Sequence, residues 1–160
     1  MDRDWLFKDE NSVCNFRVAG VLIREGKIFL QRDKGGNEYA IPGGHVRNNE
    51  TSQQSLIREY KEEVGADIIC NRLVWVEESF WKWGDRDAST IAFYYLIELA
   101  NNADIPGDYS EAHKDNSDVV LEWVLIEDLK KLTVYPRLLV EKAANISNSI
   151  EHFISIETNE

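Results

Sequence analysis

Residues 43–66 run Gly-Gly-His-Val-Arg-Asn-Asn-Glu-Thr-Ser-Gln-Gln-Ser-Leu-Ile-Arg-Glu-Tyr-Lys-Glu-Glu-Val-Gly-Ala, and this stretch decides the fold. Thr51-Ser52-Gln53-Gln54 is a capping-box pattern, in which a hydroxyl at the helix start and a side chain three residues on exchange hydrogen bonds with backbone amides. Gly65 is a natural helix terminator, so a helix is predicted over 52–64. Leu56, Ile57, Tyr60 and Val64 fall on one stripe, spaced to face a sheet. On another stripe Glu59, Glu62 and Glu63 stand at i, i+3 and i+4 and project together.

Like charges so placed cost helix stability, and Arg58, four residues before Glu62, offsets only part of that. Three converging carboxylates suit a hard cation; Mg²⁺ takes one or two of them together with waters and substrate phosphates. The preceding turn, Ile41-Pro42-Gly43-Gly44-His45, has glycines that let the backbone come close to an ion or a phosphate. Glu-rich helical stretches are ordinarily solvated faces, and the full spacing is what separates this one from them. Gly44, five residues, Glu50, seven residues, Arg58-Glu59-Tyr60, one residue, Glu62-Glu63, one residue and Gly65-Ala66 together resemble the Nudix box. Seven of these positions, all but Tyr60 and Ala66, each filled by chance at about 5–7%, would coincide roughly once in 10⁸ windows or more. Tyr60 and Ala66 depart from the bulky aliphatic residues that family prefers; both are packing positions.

The likeness continues through Gly20-Val21-Leu22-Ile23, Phe29-Leu30-Gln31-Arg32 and Tyr39-Ala40-Ile41-Pro42-Gly43-Gly44, and closes at Glu122-Trp123-Val124. It implies an α+β fold, a Nudix-type α/β/α sandwich with a mixed β-sheet and a catalytic loop-helix-loop. The expected organisation is one domain over residues 1–160, with its core at about 16–145. The implied reaction is attack of water on a diphosphate bridge, with Glu59, Glu62 and Glu63 binding Mg²⁺ or Mn²⁺ and the Gly44 carbonyl adding a ligand. One of the glutamates would also bind or deprotonate the water. Arg58 would orient carboxylates, chiefly Glu50. Arg32 stands where relatives often contact a substrate phosphate, and Arg17 on the neighbouring strand is a second candidate. Many relatives carry a general base on a distant loop; Glu111, Asp115 and Asp118 lie in such a loop, and no spacing singles one out.

Outward from the box, residues 16–24 and 27–32 read as a hairpin about Glu25-Gly26. Residues 72–83 and 90–99 read as long strands joined by Gly84-Asp85-Arg86-Asp87, and 119–125 as the last strand. A short helix over Ile126–Leu132 follows. Pro136 then opens a longer one through Leu139, Ala143, Ile146, Ile150 and Phe153. The turn-rich residues 101–118 read as a mobile surface loop. A nucleobase needs a stacking surface. Tyr39, Phe80, Trp81 and Trp83 are the candidates, Trp81 and Trp83 foremost because they adjoin a turn, whereas Trp75 reads as core.

The chain has 160 residues and a net charge of −11, from 29 acidic and 18 basic side chains. Such a surface repels nucleic-acid backbones, so DNA or RNA binding is not expected. A phosphorylated small molecule remains compatible when divalent cations neutralise both sides. No apolar run approaches the roughly 18–20 residues of a membrane span. Met1-Asp2-Arg3-Asp4-Trp5 lacks the layout of a signal peptide, so a cytoplasmic protein is expected. Cys14 and Cys70 show no metal or redox spacing and read as small hydrophobes. The expected partner is a small nucleotide: a nucleoside triphosphate, a nucleotide sugar or a dinucleotide. A non-catalytic nucleotide sensor is the alternative. Relatives are often dimers, and Trp5, Leu6 and Phe7 are available for such a contact.

Overall fold

The computed structural model describes residues 3–157; Met1, Asp2 and residues 158–160 of the expected domain lie outside it. Its strands are β1 (Leu6–Lys8), β2 (Ser12–Val21), β3 (Ile23–Arg24), β4 (Lys27–Asp33), β5 (Glu38–Ala40) and β6 (Gly43–His45). Helix α1 (Ser52–Glu63) follows, then β7 (Ile68–Trp83), β8 (Arg86–Leu99), β9 (Ser110–Ala112) and β10 (Val119–Leu125). A 3-10 helix (Ile126–Lys131), β11 (Thr133–Tyr135), α2 (Leu139–Lys142) and β12 (Glu151–Ile156) complete the chain. Among the described residues these strands form two mixed six-stranded sheets. One runs β1-β2-β8-β7-β12 with β6 added on β2, the other β11-β5-β4-β10-β9 with β3 added on β4. The α+β sandwich is therefore present, with its strands divided between two sheets.

The division begins at Leu22. The hairpin expected between 16–24 and 27–32 is not one continuous pair: β2 stays in the first sheet, the buried Leu22 marks the crossing, and only Ile23–Arg24 pairs with β4. Two apolar clusters result. In one, Ala19, Val21, Trp75 and Tyr94 of the first sheet meet Ile28, Leu30 and Val124 of the second, with Leu129 and Leu139 closing it. In the other, Leu56 and Tyr60 of α1 and Val64 just after it pack on Val18, Tyr95 and Ile97. Burying these side chains stabilises the fold by roughly 1.5–3 kcal/mol for each large one.

Five further expectations are corrected. The strand 119–125 is not the last, and the helix expected beyond Pro136 is only the four residues of α2. Asn145-Ile146-Ser147-Asn148-Ser149 ends it, because Asn and Ser side chains compete for backbone hydrogen bonds. Residues 151–156 then lie as a strand parallel to β7. The loop 101–118 contains β9 and a fully buried Ile105, so it is partly built into the fold. Cys14 is exposed, not a core hydrophobe. Between β7 and β8 only Gly84 and Asp85 turn. Among the described residues, no helix is long and apolar enough to cross a membrane.

Candidate active site

The site is assembled where β6 lies against β2 and α1 crosses above. A Cβ on Gly43 would stand 2.1 Å from the Val18 carbonyl oxygen, so only glycine lets the turn lie this close to β2. The pairing places Gly44 beside Val18 and His45 beside Arg17. Thr51 accepts from the Gln54 amide, and the Gln54 side chain accepts from the Thr51 amide, so the helix start is fixed from within. At the other end Gly65 adopts φ 79°, a left-handed conformation that stops the helix.

Between these fixed ends, Arg58 gathers the carboxylates. Its Nε donates to both Glu50 oxygens at 3.1 and 3.2 Å; its Nη1 reaches Glu59 at 2.8 Å and Glu62 at 3.4 Å. Ser55 also donates to Glu50 at 2.9 Å. Glu59 lies directly over the turn: a Cβ on Gly44 would fall 2.4 Å from its carboxyl carbon. Glu63 is buried and close to Glu59. Burial above all, then the hydrogen bond and charge of Glu59, push its carboxyl up to about 9. Its Oε2 is buried with no hydrogen-bond partner, as is Nη2 of Arg58. Leaving such groups unpaired costs about 1–3 kcal/mol each. Arg17 donates to the Ile41 carbonyl at 3.1 Å and its charge counteracts the rise at Glu63. Burial, and then Arg17, hold His45 below the ordinary histidine range.

The donor set fits a hard divalent cation. It offers a buried carboxylate oxygen with no hydrogen bond, on Glu63, and a second carboxylate, Glu59, over a bare backbone turn. Among the described residues no three acidic, His or Cys side chains already converge on one point, and Glu62 is turned toward Arg58. A cation here would complete its shell with Glu62, water or substrate oxygens.

The NUDIX domain profile matches residues 15–143, which include the turn, α1 and both strands beneath them. The chain belongs to the Nudix family. An 8-oxo-dGTP diphosphatase of Proteus vulgaris is 37% identical over 90 residues, 52% of this chain and 77% of that protein. An RNA pyrophosphohydrolase of Hydrogenovibrio crunogenus is 44% identical over 51 residues, 31% of each chain. Among solved structures, the MutT protein from Bacillus halodurans aligns with a TM-score of 0.62 over 88% of this chain and 89% of that one, at 13% identity. That last likeness shows the fold alone. With the family and these relatives, the chain is a Nudix hydrolase.

Within this Nudix fold the other expected contacts are dispersed. Arg32 and Tyr39 lie on the second sheet, where both donate to Glu122, at 2.7 and 3.1 Å. Trp81 stacks on Trp83 with centroids 5.6 Å apart and donates to Thr90. It pairs with Ala88, four residues along β8 from the Ala92 that neighbours Arg17. Trp75 is core. The site also contains a residue that sequence reading passed over, His113. Its Nδ1 accepts from the Asp115 amide at 3.1 Å, so in the neutral ring Nε2 carries the proton, and that atom stands 3.4 Å from Glu63 Oε2. The Lys114 amide donates to the Glu63 carbonyl at 2.9 Å, and the charge of Asp115 adds to the rise at Glu63. Residues 113–115 are thus docked on the end of α1. No fixed spacing links a loop to a helix some fifty positions earlier; only the charged, turn-forming composition marked the segment.

Proposed function

We propose that this Nudix hydrolase cleaves a phosphoanhydride bond in a nucleoside diphosphate linked to a further group, and that it does so with Mg²⁺ or Mn²⁺. The observation that carries the reading is the buried Glu63 carboxylate, whose Oε2 has His113 at 3.4 Å but no hydrogen bond, beside Glu59 and the bare turn at Gly44. Glu59, Glu62, Glu63 and the Gly44 carbonyl would hold the cation. When bound, it polarises phosphoryl oxygens and offsets charge on the leaving group. The chain's own residues do the rest. Arg58 keeps Glu59 and Glu62 in place, Arg17 meets a substrate phosphate, and one carboxylate of the cluster takes the proton as water attacks phosphorus. The new P–O bond forms as the bridging P–O bond breaks, and its electron pair leaves on the departing phosphate. Holding these groups in a fixed arrangement is where catalysis by positioning arises.

The test is turnover of a panel with Mg²⁺ or Mn²⁺ by wild type and Glu62→Gln. The panel holds 8-oxo-dGTP and 5′-triphosphorylated RNA, suggested by the two relatives, with nucleotide sugars and dinucleotides. The charge of −11 makes RNA the weaker choice. Turnover of one class, lost in Glu62→Gln, is the expected result. Folded protein inactive on every compound with either cation would overturn the reading in favour of a nucleotide sensor.

A further inference from the structure

Glu63 ends α1, and the segment that meets it comes from the other sheet. Strands β9 and β10 pair as a hairpin, with Ala112 beside Val120, and residues 113–118 are its turn. The His113 amide donates to the Val119 carbonyl at 2.8 Å, and the Val119 amide to the Asn116 carbonyl at 3.1 Å. The Asp118 amide donates to the Asn116 side chain at 3.0 Å, the local bond by which Asn closes turns. A turn tied by its own hydrogen bonds holds its first residue, His113, in one place. Two further contacts lay it on the helix. The Lys114 amide donates to the Glu63 carbonyl at 2.9 Å, and the Lys114 side chain crosses Gly65, where a Cβ would fall 2.4 Å from its Cε.

Both ring nitrogens of His113 are committed. Nδ1 accepts from the Asp115 amide at 3.1 Å, which leaves the proton of the neutral ring on Nε2, 3.4 Å from Glu63 Oε2. The ring is therefore placed to donate to Glu63 and has no free lone pair for a proton from the attacking water. Both side chains are 10% exposed, so water does not readily replace the contact. Glu63 Oε2 has no hydrogen bond, and 3.4 Å is a few tenths of an ångström beyond the ~2.7–3.2 Å of a normal one.

We propose that His113 is a positioning residue for the cation site: when the cation binds, its Nε2–H closes on Glu63 Oε2 and leaves the other carboxylate oxygen for the cation. This rests on the metal-dependent reading above. Carboxylates that ligate a metal are held by such outer hydrogen bonds, and losing one typically costs about 10–100-fold in metal affinity or activity. Tyr60, three residues before Glu63, is the competing donor. Its hydroxyl is buried without a partner, and burial above all, then the charge of Glu63, push it up. Yet Tyr60 packs with Leu56, Val18 and Ile97 on the sheet side of the helix, whereas His113 stands at Oε2 itself.

The experiment is Mn²⁺ titration of the full chain without substrate, read by paramagnetic resonance of the free ion. It compares wild type, His113→Ala, His113→Gln and Tyr60→Phe, with melting of each metal-free protein alongside. Gln carries an amide N–H to about the place of Nε2. His113→Ala should weaken Mn²⁺ binding by about 10–100-fold, His113→Gln should recover most of the loss, and Tyr60→Phe should bind as wild type does. Metal-free melting of His113→Ala should stay close to wild type, because the contact is not yet a hydrogen bond. Added Mn²⁺ should restore much of the turnover that His113→Ala loses at low Mn²⁺. Mn²⁺ affinity unchanged in His113→Ala overturns the proposal, whether turnover falls, as for a base, or only melting falls, as for a structural contact. Equal losses in the Ala and Gln variants, or a loss in Tyr60→Phe instead, overturn it as well. Wild type that binds no Mn²⁺ removes the metal-dependent reading too, whereas wild type and His113→Ala binding alike remove this proposal alone.

Discussion

The clusters gathered by Arg32 and by Arg58, each one guanidinium with nearby carboxylates, are in opposite electrostatic condition. On the second sheet Arg32 meets a single acid, Glu122, which also accepts from Tyr39 and Ser110. Burial alone would raise Glu122, but hydrogen bonds from Arg32, Ser110 and Tyr39 outweigh it and hold the carboxyl below its ordinary range. On α1, Arg58 is shared among Glu50, Glu59 and Glu62, and Glu63 is left beside Glu59 with its carboxyl pushed up to about 9. The first cluster is a completed ion pair. The second is short of positive charge, which a folded protein tolerates where a cation or substrate supplies the balance.

Glu63→Gln tests the contrast most severely. Turnover should fall by about 10²-fold or more, while the metal-free protein should melt at a higher temperature, because a strained acid has been neutralised. Kinetics and calorimetry on one preparation check both halves, and equal losses of activity and stability would break the comparison. Gly44→Ala comes next. A Cβ there displaces the Glu59 carboxylate, and misplacement on the order of 1 Å should lower kcat by about 10–10² with little change in melting.

The third prediction concerns pH. The folded-state value of Glu63 lies above its unfolded one, so the folded state holds the proton longer and stability falls as pH rises from about 4.5 to about 9. Mg²⁺ should therefore raise the melting temperature more at pH 8 than at pH 5. A Mg²⁺ effect independent of pH would remove Glu63 from the binding set. The smallest effect belongs to the settled pair. Glu122→Gln should lower stability by about 1 kcal/mol and leave kcat unchanged. Since Glu122 is lowered in the folded state, that loss should be present at neutral pH and vanish as pH falls through its folded value.

What was legible in the sequence was local. Helix α1 was readable because its cap, its stop and its two stripes fall within one continuous stretch, and β10 because the turn formers Asp115-Asn116-Ser117-Asp118 lead into the apolar run from Val119. The rest depended on distant partners. Leu139, Ala143, Ile146, Ile150 and Phe153 satisfy helical spacing, yet Phe153 to Ile156 fit a strand equally well once β7 offers an edge. The split into two sheets turns on Leu22, which differs in no visible way from its apolar neighbours. The carboxylate side of the site was legible for the same reason as α1. His113 was not, because only the folded chain carries it to Glu63.

The two glycines of the turn would leave different signatures in a library of random variants. At position 43 the obstacle to any side chain is the Val18 carbonyl of β2, which cannot rotate aside. At position 44 it is the movable end of Glu59. Selection for soluble, folded protein alone should fix Gly43 and let position 44 drift; selection for turnover should fix both.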